Sequence, residues 1–138
     1  MPVALWALAL ALGLLAQGPR VSDAYRKWVA EDVVWIIEPR EKAVFERLQT
    51  DEECKHFIEQ FWQVRPAPMK EEHYRRIAKA NEKFKDGWRG EQGRTYIRFG
   101  PPDEIEVHKT QNKEAWLYRN LPGVGTNVIF NFGTPPGK

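Results

Sequence analysis

Gly87-Trp88-Arg89-Gly90-Glu91-Gln92-Gly93-Arg94-Thr95-Tyr96-Ile97-Arg98-Phe99-Gly100-Pro101-Pro102-Asp103 is the stretch on which the reading of the fold turns. Before it, apolar residues recur at the spacing of a helix; after it, they alternate as in strands. Gly87 is expected to close the preceding helix as a left-handed cap. Thr95, Ile97 and Phe99 alternate with Tyr96 and Arg98, which predicts a first strand. Gly100-Pro101-Pro102-Asp103 is a turn by its residue chemistry. Ile105 and Val107 then alternate with Glu104, Glu106 and His108 in a second strand. Ala115 to Arg119 gives a third, with Trp116 and Tyr118 on one face, and Val128, Phe130 and Phe132 mark a fourth. Lys109 to Lys113 and Leu121 to Gly125 read as the loops between them.

Working back from Gly87, a helix over about Lys70 to Lys85 is expected to turn Tyr74, Ile77, Ala78, Asn81 and Phe84 inward. Its outer face would carry Arg75, Arg76, Lys79 and Lys83 into solvent. Arg65-Pro66-Ala67-Pro68 is a short stiff linker, because a residue before proline is driven out of the helical region. The helix before it opens at Thr50, which with Glu53 forms a capping box. That helix carries Cys54, Phe57, Ile58, Phe61 and Trp62 as one apolar stripe. Pro39 suits the first turn of another helix, with Val44, Phe45 and Leu48 on one side. Tyr25, Trp28, Val29 and Val33 are also helically spaced, and the apolar run Val33 to Ile37 predicts a buried extended segment. Helices first and strands afterwards predict an α+β fold, with N-terminal helices packed on a C-terminal antiparallel meander of about four strands.

The extreme N-terminus is a separate matter. Val3 to Leu15 is an apolar run shorter than the roughly 20 residues of a membrane span. Its length fits the core of an export signal, although no Lys or Arg precedes it. Ser22-Asp23-Ala24 has the small residues a signal peptidase favours. Residues 1–24 are therefore expected to be a signal peptide and 25–138 a domain whose natural C-terminus can lie further on. The mature protein would be extracytoplasmic, periplasmic or secreted, touching a membrane only through the N-terminal segment if that stays uncleaved.

The 138 residues are 42% hydrophobic and 29% charged, a balance suited to one globular core. A net charge of +2 supplies no concentrated basic face, which argues against nucleic acid as a partner. Cys54 is the single cysteine, so no disulfide framework is available within the chain. No cofactor motif is present.

Several stretches together carry a family likeness. Phe57-Ile58, Phe61-Trp62 and Arg65-Pro66, then Arg76-Ile77-Ala78-Lys79-Ala80-Asn81-Glu82-Lys83-Phe84, precede Gly87-Trp88. Gly93 to Ile105 reads GRTYIRFGPPDEI, and Trp116-x-Tyr118 follows. In this order the motifs resemble the GWxTD domain family over about residues 25 to 132. The chain departs from the family pattern where Gly90 and Glu91 replace Thr-Asp, and where Arg-Asp-Pro is reduced to Arg65-Pro66. The resemblance implies an exported protein of the bacterial envelope with no established reaction.

Candidate chemistry is sparse. Cys54 and His56 lie two apart on a helix and so point in different directions. His73 and His108 are isolated from any metal-binding spacing. Asp103, Glu104 and Glu106 cluster after the proline turn, with Glu104 and Glu106 on one face of a strand. Asn81 is an amide on an inward face, needing partners. Trp88, beside Arg89, Glu91 and Arg94, has two readings. It is a latch over the helix–sheet seam with Arg94 and Glu91 paired nearby, or a surface of the composition found at binding hot spots. The residues singled out for binding are Trp88, Glu91, Arg94, Asp103 and Glu104, and for structure Trp62, Asn81 and Gly87. The expected function is a non-catalytic binding or assembly module of the envelope, its partner another envelope protein or an envelope polymer. The alternative is a hydrolase or carbohydrate-active enzyme using carboxylates among Glu91, Asp103, Glu104 and Glu106.

Overall fold

A computed structural model describes residues 20–133. The chain is α+β, with five α-helices among the described residues before a three-stranded antiparallel sheet of order β1-β2-β3. It divides into two compact units, the first ending at Ala67 and the second beginning at Pro68. The division falls within the proline linker read from the sequence.

The first unit is helical. Helix α1 (Asp23–Lys27) runs on into a π-helical turn, Trp28–Asp32. Val33 to Ile37 is not extended: the Ile36 and Ile37 amides both donate to the Val33 carbonyl, folding the apolar run into turns. Its side chains reach the core by turning rather than by joining a sheet. Helix α2 (Pro39–Glu46) begins with proline in its first turn, where the missing N–H costs no hydrogen bond. Helix α3 (Asp51–Gln63) opens with the expected box: Thr50 Oγ1 accepts from the Glu53 amide at 3.2 Å, and Glu53 Oε1 accepts from the Thr50 amide at 3.1 Å. Trp28, Val33, Phe45, Cys54 and Phe61 form the core, with Trp62, Phe57 and Ile58 packed on it. Trp28 and Phe61 meet edge to face at 5.1 Å, a geometry that matches ring edges to ring faces. Cys54 is fully buried on this stripe, and burial, helped by Asp51 and Glu53, pushes its thiol pKa up. His56 points to solvent.

In the second unit, helix α4 (Met69–Lys83) is followed by a 3-10 turn (Gly87–Arg89) and helix α5 (Glu91–Phe99). Strands β1 (Glu104–His108), β2 (Lys113–Leu121) and β3 (Gly125–Gly133) complete it. The sheet has three strands because Thr95, Ile97 and Phe99 lie on α5 rather than on a strand. Their alternation has a helical cause. Gly93 and Ile97, four apart, make one buried face of α5, while Tyr96 and Phe99 pack on the Trp116–Tyr118 core. A short helix covered on two sides shows apolar residues nearly every second position, which mimics a strand. Thr95, a poor helix former, returns its hydroxyl to the Glu91 carbonyl at 2.9 Å.

The buried face of α4 also differs from the expected one. His73 and Ala80 are buried, whereas Asn81 and Ala78 are exposed. The helix is rotated toward His73, and Arg76, expected in solvent, is drawn into partial burial. The strand register puts Ile105, Trp116 and Phe130 in one row, and Val107, Glu114 and Phe132 in another, on the same face. Glu104, Leu117 and Ile129 are on the opposite face.

Candidate functional site

The residues of the long motif can be followed one by one. Gly87 has φ +57, the left-handed value that glycine adopts at little cost. The Asn81 side-chain oxygen accepts from the Trp88 amide at 2.9 Å, so this exposed amide ties α4 to the turn after it. Trp88 is itself half-buried, with the Arg89 guanidinium 5.0 Å from its ring. Gly90 is the N-cap of α5 and offers no side chain to the first-turn amides. Gly93 is required by close approach: a Cβ there would lie 2.0 Å from the Gly87 carbonyl oxygen.

The far end of α5 is held as tightly. Arg76 reaches across from α4, its Nε bonded to Glu72 at 3.0 Å and its Nη1 donating to the Ile97 carbonyl at 3.3 Å. Glu72 also meets Arg75. Gly100 turns the chain with φ +80, and a Cβ there would press on the Arg76 guanidinium at 2.8 Å. The Tyr118 hydroxyl donates to the Gly100 carbonyl at 2.7 Å. Burial pushes the pKa of that hydroxyl well above its ordinary value, so it stays protonated and a donor at any physiological pH.

Asp103 extends the β1–β2 pairing. Its amide donates to the Leu117 carbonyl at 2.8 Å, and its Oδ2 accepts from the Arg119 amide at 2.7 Å. Arg119 Nη2 meets Glu104 at 3.0 Å. Asp103 and Glu104 thus share Arg119 at the start of β1, with Glu104 on the face of the sheet away from Trp116. Glu91 lies elsewhere, in the first turn of α5, beside a hollow lined with Phe84, Gly90, Gln92 and Phe132. The five residues singled out for binding therefore fall into two places: Trp88, Glu91 and Arg94 around the start of α5, and Asp103 and Glu104 at the start of β1. Among the described residues no group of three or more His, Cys, Asp or Glu side chains is placed to hold a metal ion.

In the first unit the same kind of work falls to Arg65. It grips Glu41 with both terminal nitrogens, at 3.1 and 2.8 Å. It also donates to the Phe61 carbonyl at 2.7 Å and lies 3.5 Å over the Phe61 ring. Burial raises the Glu41 pKa, but the Arg65 hydrogen bond, the Glu38 amide and the nearby positive charges outweigh it and leave the carboxyl below its ordinary value. Arg65, Arg76, Asn81, Asp103 and Tyr118 thus each bond a backbone group through their side chains. The match is to the GWxTD domain, over residues 19–137. The chain belongs to the GWxTD domain family. No curated protein and no solved structure gives a significant match.

In this GWxTD domain both faces of β1 have room for a ligand. The outer face carries a hollow of about 480 Å³ lined by Glu104, Glu106, Leu117 and Ile129 among others. The inner face is one that sequence reading passed over. The inner face of β1 is not covered by the helices. Ile105 and Val107 point to that side, yet are 53% and 54% exposed. Beside Ile105 is a hollow of about 360 Å³ lined by Phe84, Tyr96, Pro101, Pro102 and Trp116 among others. Beside Val107 is a second of about 300 Å³, reaching Lys109, Lys113 and Phe132. Gln92 and Glu114 line both, so the two adjoin and follow one another as a groove along the strand. The Glu114 carboxylate is engaged by the Trp116 indole N–H at 2.7 Å. The one signal for this groove in the sequence is Pro101-Pro102 ahead of a short apolar strand, since proline is common at sheet edges.

Proposed function

We propose that this GWxTD domain is an exported, non-catalytic binding or assembly module of the bacterial cell envelope. The observation that carries the reading is the exposed apolar pair Ile105 and Val107 on β1, beside a groove whose lining is part apolar and part polar. Exposed apolar surface of this kind, rimmed by polar residues, is characteristic of interaction sites. The residues of the long motif form the frame around it. Of the carboxylates weighed for hydrolysis, Glu91 stands apart in the first turn of α5, and Asp103 and Glu104 both engage Arg119. Glu104 and Glu106 line the hollow on the outer face of the sheet, which is the place the rival keeps.

Export rests on the apolar run Val3 to Leu15, which lies outside the described residues. Among the described residues no helix is long and apolar enough to cross a membrane. Cleavage after Ala24 would cut inside α1 and discard Val21, which packs on the first core, and the Ser22 amide, which donates to Asp51 at 2.7 Å. A processed terminus upstream of Val21 keeps both, and mass spectrometry of the exported product locates it.

The partner is an envelope protein or polymer. Immobilised protein is expected to retain envelope components, with retention weakened by Trp88→Ala at the start of the motif and by Ile105→Lys in the groove. Retention unchanged by Trp88→Ala removes the turn at Trp88 from the binding surface, and retention unchanged by either removes the surface as a whole. Turnover of an envelope polymer by the purified chain overturns the non-catalytic reading.

A further inference from the structure

We infer that the groove is completed by an extended segment of another protein, added as a fourth strand along β1, with apolar side chains toward the groove and basic ones on the other face. This rests on the binding-module reading and names the class of partner.

Strand addition needs an open edge, and β1 is one. Among the described residues it is an end strand of the sheet, paired only with β2, and all five of its residues are exposed. An edge of this kind presents unpaired backbone N–H and C=O groups to any extended chain. The side chains then select the chain that pairs. Toward the groove, Ile105 and Val107 ask for apolar cross-strand neighbours, and the hollow of about 360 Å³ beside Ile105 has room for a large apolar side chain. On the opposite face stand Glu104, which meets Arg119 at 3.0 Å, and Glu106, which meets His108 Nε2 at 3.2 Å. Both carboxylates remain more than half exposed, so they still favour basic neighbours over acidic ones. An occupant alternating apolar and basic residues meets both faces in register.

The same charges argue against a second copy of this chain. Antiparallel pairing of two β1 strands centred on Glu106 sets that carboxylate against itself at the middle of the pair, with Glu104 opposite His108 and Ile105 opposite Val107 on either side. Centring on Ile105 sets Glu104 against Glu106. Centring on Val107 does match Glu106 with His108, but leaves only residues 106 to 108 of each strand overlapping. Like charges directly opposed destabilise a strand pair, so self-pairing is either repelled or short.

The test uses the full chain and a fluorescein-labelled nonapeptide of alternating valine and lysine, with binding read by fluorescence anisotropy. Two control peptides replace lysine with glutamate, or methylate alternate backbone nitrogens of the lysine form. The lysine peptide is expected to bind at least about tenfold more tightly than either control. Ile105→Lys, at an exposed position, should weaken binding by about tenfold with the far-ultraviolet circular dichroism unchanged. Glu104→Lys with Glu106→Lys should invert the preference toward the glutamate peptide. Equal binding of all three peptides, absence of binding, or indifference to Ile105→Lys overturns the inference. So does a concentration-dependent dimer in sedimentation velocity that Ile105→Lys dissolves, since a second copy then occupies the edge. Envelope capture that persists in Ile105→Lys while the peptides fail leaves the binding-module reading standing and removes the edge from it. Loss of capture by every form of the protein removes that reading itself.

Discussion

The aromatic lattice of the first unit is surrounded by its own side chains, whereas that of the second stops short of one strand. Around Trp28, Phe45 and Phe61 the helices and the turns after Val33 close in, and Phe57, Ile58 and Trp62 seal the remaining sides. Around Trp116 and Tyr118, α5 and Phe84 cover β2 and β3, but Ile105 and Val107 on β1 are left half in water. Helices can wrap a core from several directions. A three-stranded sheet covered by one short helix cannot, because strands lie about 4.8 Å apart and nine residues of helix have limited reach. The unfinished side is a consequence of architecture, and it is where a partner can be accommodated.

The largest expected effects test whether the open core is as firmly built as the closed one. Phe61→Ala in the first unit and Trp116→Ala in the second should each cost about 3–5 kcal/mol, read by chemical denaturation. A much smaller loss for Trp116→Ala would mean that the uncovered side already loosens the lattice. Next comes crowding at the motif. Gly93→Ala sets a methyl against the Gly87 carbonyl and should cost about 1–3 kcal/mol. The closed unit has its own polar lock, and Arg65→Met should cost about 1–3 kcal/mol at neutral pH by removing a charge-assisted bond to a part-buried carboxylate.

The Arg65 substitution has a pH signature. The folded Glu41 carboxyl titrates below its ordinary 4.5, so the unfolded chain takes up its proton first as pH falls. The Glu41 contribution is present above that ordinary value and is lost as pH drops through the folded one. In Arg65→Met this part of the acid loss should shrink, as seen by comparing denaturation at pH 7 and in the acid range. A smaller effect belongs to Asn81→Ala, which removes the acceptor for the Trp88 amide and should cost about 1 kcal/mol. Smallest of all is Ile105→Ser, expected to change stability by no more than about 0.5 kcal/mol because the side chain is half exposed. A large loss there would mean that β1 contributes to the core after all.

Legibility followed how local the cause was. The Thr50–Glu53 box and the Trp116–Tyr118 face are set by neighbours within a few residues, and sequence reading found both. Gly87 has the expected positive φ but does not cap α4, which ends at Lys83 with Phe84, in an extended conformation, as its C-cap. Thr95 to Phe99 went wrong because a helix covered on two faces carries the same alternation as a strand, and β-branched Thr95 and Ile97 reinforced it. Tertiary packing overrode that propensity. Asn81 and Arg76 were misplaced for a related reason: His73, read as an isolated polar residue, is buried and sets the rotation of α4. Among the candidate site residues, the Arg119 engagement of Asp103 and Glu104 depends on register between strands that are distant in sequence. The groove was missed since alternation shows which side of a strand is apolar but cannot show whether anything covers it.

The clamp on Arg65 has a consequence for survival among proteases. Pro66, Ala67 and Pro68 are exposed where the two units join, the kind of site at which chains are nicked. Yet the one basic residue there lies directly before a proline, an order that trypsin-like enzymes cleave poorly. Its guanidinium is also held by Glu41 and Phe61, away from any specificity pocket. This exposed joint is therefore one that such a protease reads poorly, and digestion by trypsin should begin elsewhere.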